Sequence, residues 1–582
     1  MNFVSRIQQW PALLLSTLLG GLVIMMDFGF ETTTWSDNGF RLTYLSIAGV
    51  IAAISLGEWI RPGSRAARRR QVVMLVAALG MLIVYGLEWG LWHASDFPRY
   101  PWVIFFLVTI MVELARRNFY AHRLYLQPAS LFAGSFALTI LVGTFMLLLP
   151  TATVHPISLV DALFTATSAV SVTGLAVLDT GVEFTRLGQV IIMVLIQAGG
   201  LGMMTFTSFF SFFFKGQTSL QERLTLLDLT STSLESVQRF IIHVVLFTLG
   251  VELIGAVLIY SSIGTIAWPN VGERLFFSVF HAVSGFCNAG FSTLSDSLFT
   301  SETRFLYALQ GILMALFVLG GIGYFVSFGL ASYLRTWLVY QWQKRRWPDR
   351  KLVPPRRLRS LNSRLALRMS LLLLLVGWGG FLMFEWNHSL AEHSSWGGKL
   401  LAGLFGGATP RTAGFNNVDT GQLSAGALLL TLFLMWIGAS PGSTGGGIKT
   451  TTFAVALLNI HSIARGRERL ILGPREISHN SLNRAFAVVV LSLLVIGVAV
   501  ILITLLQPDS SLMVVVFECV SAFSTVGLSM GLTGELCTAS RLVIVAVMFI
   551  GRVSALSILI GLLRRLDSQP RVRYPKEDVL IN

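Results

Sequence analysis

The residues of this chain best placed to do chemistry are glycines. Four short apolar stretches each end on a glycine and then a polar loop: FTATSAVSVTGL (164–175), FHAVSGFCNAGF (280–291), FGGATPRTAGF (405–415) and FECVSAFSTVGL (517–528). Aligned on Gly174, Gly290, Gly414 and Gly527, three have Phe ten residues earlier and Ser followed by a small residue at minus six and minus five. All four have Leu or Phe just after the glycine. The third departs, with Phe405 one residue closer and Pro410-Arg411 replacing the apolar pair. The glycines lie 116, 124 and 113 residues apart, an internal repeat of span, half-span and span. A half-span that enters and leaves on one side exposes backbone carbonyls at its turn, which hydrocarbon excludes unless the turn lines protein or water. Four such turns around a pseudo-fourfold axis would offer oxygens that replace the water shell of a cation. Each preceding short helix would aim its negative C-terminal dipole at the same point, and glycine supplies the positive φ such a turn needs. Four helix-capping glycines in ordinary re-entrant loops are the rival reading, which leaves the matching upstream residues unexplained. No ring of Asp or Glu sits at the turns, so a neutral carbonyl ring for a weakly hydrated monovalent cation is expected. Glu518 reads as an N-terminal charge favoured by its helix dipole.

A second constellation is Gly438-Ala439-Ser440-Pro441-Gly442-Ser443-Thr444-Gly445-Gly446-Gly447, inside an apolar run near 426–459. Pro441 and five glycines cannot hold a regular helix, and irregular backbone at membrane depth again needs an aqueous cavity. A phosphate-binding loop is excluded because Ile448 separates Gly447 from Lys449 and no strand precedes it. Arg552 lies in the last apolar run, where a lipid-facing charge costs at least about 2.5–3.5 kcal/mol. It should face the pore or pair with neighbouring carbonyls. Gly199-Gly200-Leu201-Gly202 and Gly320-Gly321-Ile322-Gly323 occupy equivalent places in the first two repeats. Close helix packing and gating flexibility account for them equally. Glu113 reads as interfacial. Glu252 reads as a polar interhelical contact, with an ion or proton relay as the rival, and His281 as a packing residue.

The elements that must position these residues are membrane spans. The chain of 582 residues is 54% hydrophobic and 12% charged, about half the charge of a soluble protein. Four spans are expected before residue 120 (about 11–28, 42–60, 73–95 and 102–115). Eight follow near 131–150, 187–213, 239–264, 304–338, 365–386, 426–459, 484–506 and 541–565. The formal charge of +14 concentrates in loops at 61–70, 344–359 and 465–469, while alternate loops hold Asp179, Glu183, Asp296 and Asp419. That is a positive-inside pattern. It excludes nucleic-acid binding and puts both termini in the cytoplasm. Cys287, Cys519 and Cys537 form no metal or disulfide pattern. With no HExxH, paired intramembrane Asp or Ser/His constellation, an enzyme is not expected.

The half-spans, together with LIQAGGLGMMTF (195–206), ATPRTAGFN (408–416), IGASPGSTGGGIKTTTF (437–453) and FIGRVSAL (549–556), resemble the Trk/Ktr/HKT superfamily of potassium transporters. The likeness is greatest to the membrane subunit of Ktr-type uptake systems. It covers roughly residues 128–566; the four earlier spans have no counterpart in the compact Ktr subunit. The resemblance implies an all-α membrane protein with four helix–pore-loop–helix repeats. Their bounds are 128–238, 239–363, 364–483 and 484–566, after an N-terminal extension (1–127) and before a cytoplasmic tail (567–582). It implies a selectivity filter of Val172-Thr173-Gly174, Asn288-Ala289-Gly290, Thr412-Ala413-Gly414 and Thr525-Val526-Gly527, with four glycines favouring K⁺. It implies a gate made of the loop 438–447 and Arg552. It also implies a homodimer in the bacterial inner membrane, seated on a ring of cytosolic nucleotide-binding regulatory subunits. The chain itself is expected to bind no cofactor, with K⁺ as substrate and Na⁺ as an activator or coupling ion. A Na⁺- or H⁺-coupled symporter is the alternative, which fourfold rather than twofold repetition disfavours.

Overall fold

The computed structural model describes residues 128–213, 234–347 and 361–554, apart from 468, 473 and 474, and a few upstream positions of which 46–53 are helical. The other residues of the expected N-terminal spans, and the tail 567–582, lie outside the described residues. The chain divides into two compact units, Met1–Leu126 with Leu148–Pro156, and Gln127–Leu147 with Ile157–Asn582. In the first, Ala152 N–H closes a turn onto Leu149 O at 2.9 Å. All four glycine turns belong to the second.

That second unit is helical and comes in four quarters. The first holds α1 (Pro128–Leu147), α2 (Leu159–Ser171) and α3 (Arg186–Phe213). The second holds α4 (Leu234–Ser262), α5 (Val271–Cys287), α6 (Tyr307–Ile322) and α7 (Tyr324–Arg346). In the third come α8 (Leu361–Glu385), α9 (Trp396–Ala408), α10 (Ala425–Trp436) and α11 (Thr450–Ala464). The fourth has α12 (His479–Leu506), α13 (Leu512–Ser524), the single turn α14 (Leu532–Glu535) and α15 (Thr538–Val553). A hairpin of β1 (Ile471–Leu472) and β2 (Arg475–Glu476) joins the last two quarters.

Among the described residues four helices are long and apolar enough to cross a membrane: Arg186–Thr205, Ile241–Ser262, Leu361–Glu385 and His479–Leu506. Away from their ends, their outward faces are largely apolar. On α4 Leu246, Leu253 and Ile254 are exposed, and on α12 Val490, Ile501 and Leu505. Water would not sustain such a surface, and lipid does. Within a largely apolar interior, the buried polar residues Ser168, Ser284, Thr409 and Ser521 gather at the ends of the short helices.

The short helices α2, α9 and α13 have 13 residues each and α5 has 17. At 1.5 Å per residue these reach about 20–26 Å, short of the roughly 30 Å hydrocarbon core. Side-chain caps start three of them: Ser158 accepts from Asp161 N–H, Asn270 from Glu273 N–H and Ser395 from Gly398 N–H.

The apolar run near 304–338, expected as one span, is broken. Tyr307–Ile322 and Val326–Arg346 meet at 108°. The break falls at Gly323, whose φ of 90° no helix accommodates. Tyr324 N–H bonds to Gly442 O at 3.1 Å in place of a helical carbonyl. At the far end, α15 stops at Ser554 (φ 74°), so the expected run to 565 is described only as far as that residue.

Rim contacts put the quarters in cyclic order. Arg186 at the start of α3 pairs with Glu273 at the start of α5. Arg304, before α6, pairs with Glu392, before α9. Arg541 on α15 pairs with Asp161 on α2. Quarter one thus meets two, two meets three, and four returns to one. Tyr307 Oη and His393 Nδ1, 3.0 Å apart, add a second link between quarters two and three.

Candidate functional site

The four half-helices end the same way, on a left-handed residue two places before the glycine. These are Val172 (φ 56°), Asn288 (φ 61°), Thr412 (φ 69°) and Thr525 (φ 51°). Three of them are β-branched, in a region such side chains avoid. The glycines that follow are also at positive φ: 90° at Gly174, 70° at Gly290, 77° at Gly414 and 93° at Gly527. Strained backbone repeated at four equivalent places marks a functional constraint.

Hydrogen bonds explain how the sequence holds this shape. Thr173 N–H donates to Ser168 O at 2.8 Å, Ala289 N–H to Ser284 O at 2.8 Å and Val526 N–H to Ser521 O at 2.9 Å. Each is a six-to-one closure of the kind that ends helices on a left-handed residue. The hydroxyls of the same serines hold the next stretch. Gly174 N–H donates to Ser168 Oγ (3.1 Å), Gly527 N–H to Ser521 Oγ (3.2 Å), and Ser284 Oγ–H donates to Phe291 O (2.7 Å). In the third quarter Thr409 does the serine's work, with its Oγ1–H on Phe415 O at 2.7 Å and its carbonyl accepting from Ala413 N–H at 3.0 Å. One residue fewer separates Thr409 from the turn, which accounts for the shifted Phe405.

The turns meet. A Cβ built on Gly174 would stand 2.3 Å from Ala289 O, on Gly290 3.0 Å from Ala413 O, on Gly414 2.2 Å from Val526 O, and on Gly527 2.2 Å from Thr173 O. Every glycine therefore abuts a carbonyl of the next quarter, and the fourth closes on the first. Within this ring Val172, Thr173, Asn288, Ala289, Thr412, Ala413, Thr525 and Val526 are buried. The four carbonyls nearest the glycines are partial negative charges around one axis, able to ligate a cation without a carboxylate.

The loop 438–447 lies against one end of the ring. Thr444 Oγ1–H donates to Asn288 Oδ1 at 3.0 Å, and Gly446 N–H to Thr525 Oγ1 at 3.0 Å. A Cβ on Gly445 would stand 2.1 Å from Thr412 Oγ1. Side chains of two left-handed residues thus bond to the loop and that of Thr412 packs against Gly445, while the fourth, Val172, has no hydroxyl or amide to offer. Ser440 N–H donates to Gly321 O (3.0 Å), and Ser440 Oγ lies 3.2 Å from Ser370 Oγ and 3.1 Å from Thr450 Oγ1. Gly438 backs onto Gly446 O, Ala439 O accepts from Thr450 N–H at 3.2 Å, and Ser443 N–H reaches Ser440 O at 3.3 Å. Pro441 and Gly442 face Gly323, and Gly447 takes φ 66°.

Arg552, fully buried, donates to Thr444 O and to Gly199 O (the latter at 3.2 Å), so it ties the loop to α3. Sequence reasoning did not single out Lys449 for this site, although its Nζ donates to Gly445 O at 2.6 Å. The clue available was its place directly after the glycine run.

The paired glycines of the first two quarters are packing positions. A Cβ on Gly199 would stand 2.0 Å from Val170 O, and one on Gly320 2.0 Å from Phe286 O. Gly551 repeats the contact against Phe523 O at 1.9 Å. Arg552 therefore occupies the place that Gly200 and Gly321 hold in their own quarters. Gly323 alone of these is a bend. Glu252 makes the expected interhelical contact: Gln197 Nε2–H donates to its carboxyl at 3.1 Å and Cys287 Sγ lies 3.8 Å away.

A family model described as "TrkH: Cation transport protein" matches residues 106–574. The Ktr system potassium uptake protein B of Bacillus subtilis is 37% identical over 454 residues, covering 78% of this chain and 96% of that protein. The potassium/sodium uptake protein NtpJ of Enterococcus hirae is 35% identical over 483 residues, 81% of this chain and all (100%) of the relative. The crystal structure of the potassium transporter TrkH from Vibrio parahaemolyticus shares the fold. It does so at TM-score 0.58 and 17% identity, over 90% of this chain and 99% of that one.

Proposed function

The chain belongs to the TrkH family of cation transport proteins, and on that premise we propose that it conducts K⁺ through the ring of four glycine turns. The closed contact cycle from Gly174 to Ala289, Gly290 to Ala413, Gly414 to Val526 and Gly527 to Thr173 carries this reading. Carbonyls fixed around one axis substitute for the weakly held water of K⁺, and two left-handed residues per turn keep them from swinging away. The half-helix C-termini add a field of the same sign. Rotation of the chain backbone between wells is opposed by the serine and threonine bonds already described.

The loop 438–447 and Arg552 act as the gate. A buried guanidinium beside the conducting axis repels an approaching cation, and a loop held by hydrogen bonds to Asn288 and Thr525 obstructs the same end. Opening requires the loop to withdraw from those bonds. The repeats run over 128–238, 239–363, 364–483 and 484–566.

The protein works as a homodimer in the bacterial inner membrane, with both termini in the cytoplasm. Its basic loops there would seat nucleotide-binding regulatory subunits; the relatives' designation as parts of a "Ktr system" supports such a partner. Na⁺ serves as an activator or coupling ion, a reading favoured by the printed name of the Enterococcus hirae relative. Rubidium uptake into liposomes holding the purified protein is the test. Uptake that K⁺ outcompetes better than Na⁺ supports the proposal, and no uptake sinks it. Accumulation that requires a Na⁺ or H⁺ gradient would make the protein a symporter instead.

A further inference from the structure

The end of the filter away from the loop carries a brace that only two of the quarters possess. The residue after the buried half-helix phenylalanine is Thr165, His281, Gly406 and Glu518 in turn, and the residue two places beyond each glycine is Ala176, Ser292, Asn416 and Ser529. In quarter two these positions bond to each other. His281 Nε2 lies 3.0 Å from Ser292 Oγ, and its Nδ1 lies 2.9 Å from Phe277 O. A carbonyl only accepts, so Nδ1 carries a proton, and in the neutral imidazole Nε2 then accepts from the Ser292 hydroxyl. Leu294 N–H then donates to Ser292 Oγ at 3.0 Å.

Quarter four repeats the design with different chemistry. Ser529 Oγ–H donates to Glu518, whose carboxyl also accepts from Met530 N–H at 3.2 Å and Thr533 Oγ1–H at 2.8 Å. Gly531 N–H donates to Ser529 Oγ at 2.9 Å, the counterpart of the Leu294 bond. His281 and Glu518 are both fully or almost fully buried, at 0% and 1% exposure.

The other two quarters lack the brace. Thr165 Oγ1 has no hydrogen-bond partner, and Ala176 offers none. Gly406 offers no side chain and packs against the Phe381 ring, and Asn416, which lines a cavity of about 10 Å³ with it, has an Oδ1 without a partner. Quarters two and four oppose each other across the axis, because the glycine contacts run one, two, three, four and back to one.

We propose that His281–Ser292 and Glu518–Ser529 are two opposed rim clamps whose residues position the filter and set its selectivity between monovalent cations. The inference rests on the filter reading above. A half-helix cannot move relative to the segment leaving its own glycine while the clamp holds, so the ring keeps its diameter along one diagonal. Along the other diagonal, quarters one and three lack this rim tie and keep only the turn bonds of Ser168 and Thr409. Losing the clamps leaves all four quarters with their turn bonds alone, and a ring freer to contract accepts the smaller Na⁺.

The test uses the full-length protein in liposomes and reads the ratio of Rb⁺ to Na⁺ uptake. Ser292→Ala and Ser529→Ala each remove one hydroxyl and little else. Each should lower the ratio by about threefold, and the double variant, which loses both hydrogen bonds, by about tenfold. Glu518→Gln keeps one acceptor oxygen and should fall between wild type and Ser529→Ala. Thr165→Ala, in a quarter without a clamp, should leave the ratio unchanged. A double variant with wild-type ratio overturns the proposal, including the case where its thermal stability drops, since that outcome makes the clamps structural only. Wild-type protein that moves no Rb⁺ would defeat the filter reading itself, a result distinguishable from failure of the clamps.

Discussion

Gly290 is the loosest point of the ring. A Cβ there would stand 3.0 Å from Ala413 O, against 2.2 or 2.3 Å at the other three glycines. All four share positive φ, which a side chain resists by about 1–3 kcal/mol. Only Gly174, Gly414 and Gly527 add an unavoidable collision with backbone that cannot step aside. Gly290→Ser should therefore keep measurable Rb⁺ uptake with a lowered preference over Na⁺, while Gly414→Ser should abolish uptake. Equal behaviour of the two variants in the same liposome assay would contradict the asymmetry. Arg552 is the other residue whose chemistry is plain at this scale. Its two hydrogen bonds join Thr444 to Gly199, so Arg552→Gln should loosen the loop and raise Rb⁺ uptake in the absence of any regulatory protein, by severalfold.

At the scale of elements, the loop between α10 and α11 is held from two directions. Asn288 and Thr525 hold it from the ring of glycine turns, and the bend between α6 and α7 holds it through Tyr324 N–H to Gly442 O. Removing residues 440–446 should raise basal Rb⁺ uptake, provided the deletion variant elutes as a single species; unchanged basal uptake would mean that the loop does not obstruct the path. The hairpin turn between α8 and α9 gives a pH dependence. Burial, and then the charges of Arg304 and Lys399, hold His393 below its ordinary 6.5. The folded state thus resists a proton that the unfolded chain accepts. Its contribution to stability is complete above pH 6.5 and declines as pH falls. The melting midpoint in detergent should drop between pH 7.5 and 5.5, and His393→Gln should flatten that slope.

The four quarters of the second unit form a ring closed by unequal seams. The Arg186–Glu273 pair is about 40% exposed on both sides, where an ion pair contributes roughly 0–1 kcal/mol. Arg541 and Asp161 are far less exposed, and Arg541 also donates to Leu536 O at 2.8 Å. That seam, which joins the last quarter to the first, should contribute about 2 kcal/mol. Arg541→Ala should accordingly lower the melting midpoint more than Arg186→Ala. The reverse order would show that ring closure does not depend on this contact.

The membrane class, the half-spans and the glycines that end them were legible in the sequence, because each depends on local rules. A half-span is a matter of length and hydropathy, and a turn residue a matter of allowed φ. The apolar run near 304–338 shows the limit. Nothing in its hydropathy separates a straight span from one bent at Gly323, since both bury the same side chains, and the bend exists because the loop 438–447 supplies the carbonyl that Tyr324 needs. Glu252 was readable as a contact, whereas the paired glycines fitted packing and gating flexibility equally, because which carbonyl each glycine meets depends on helices far apart in the chain. The same holds for Ser292 and Ser529, whose partners come from the half-helix beneath them. The chain alone determined what each segment could do in lipid; which segments face one another was decided by packing, a sum over distant pairs that no local pattern encodes.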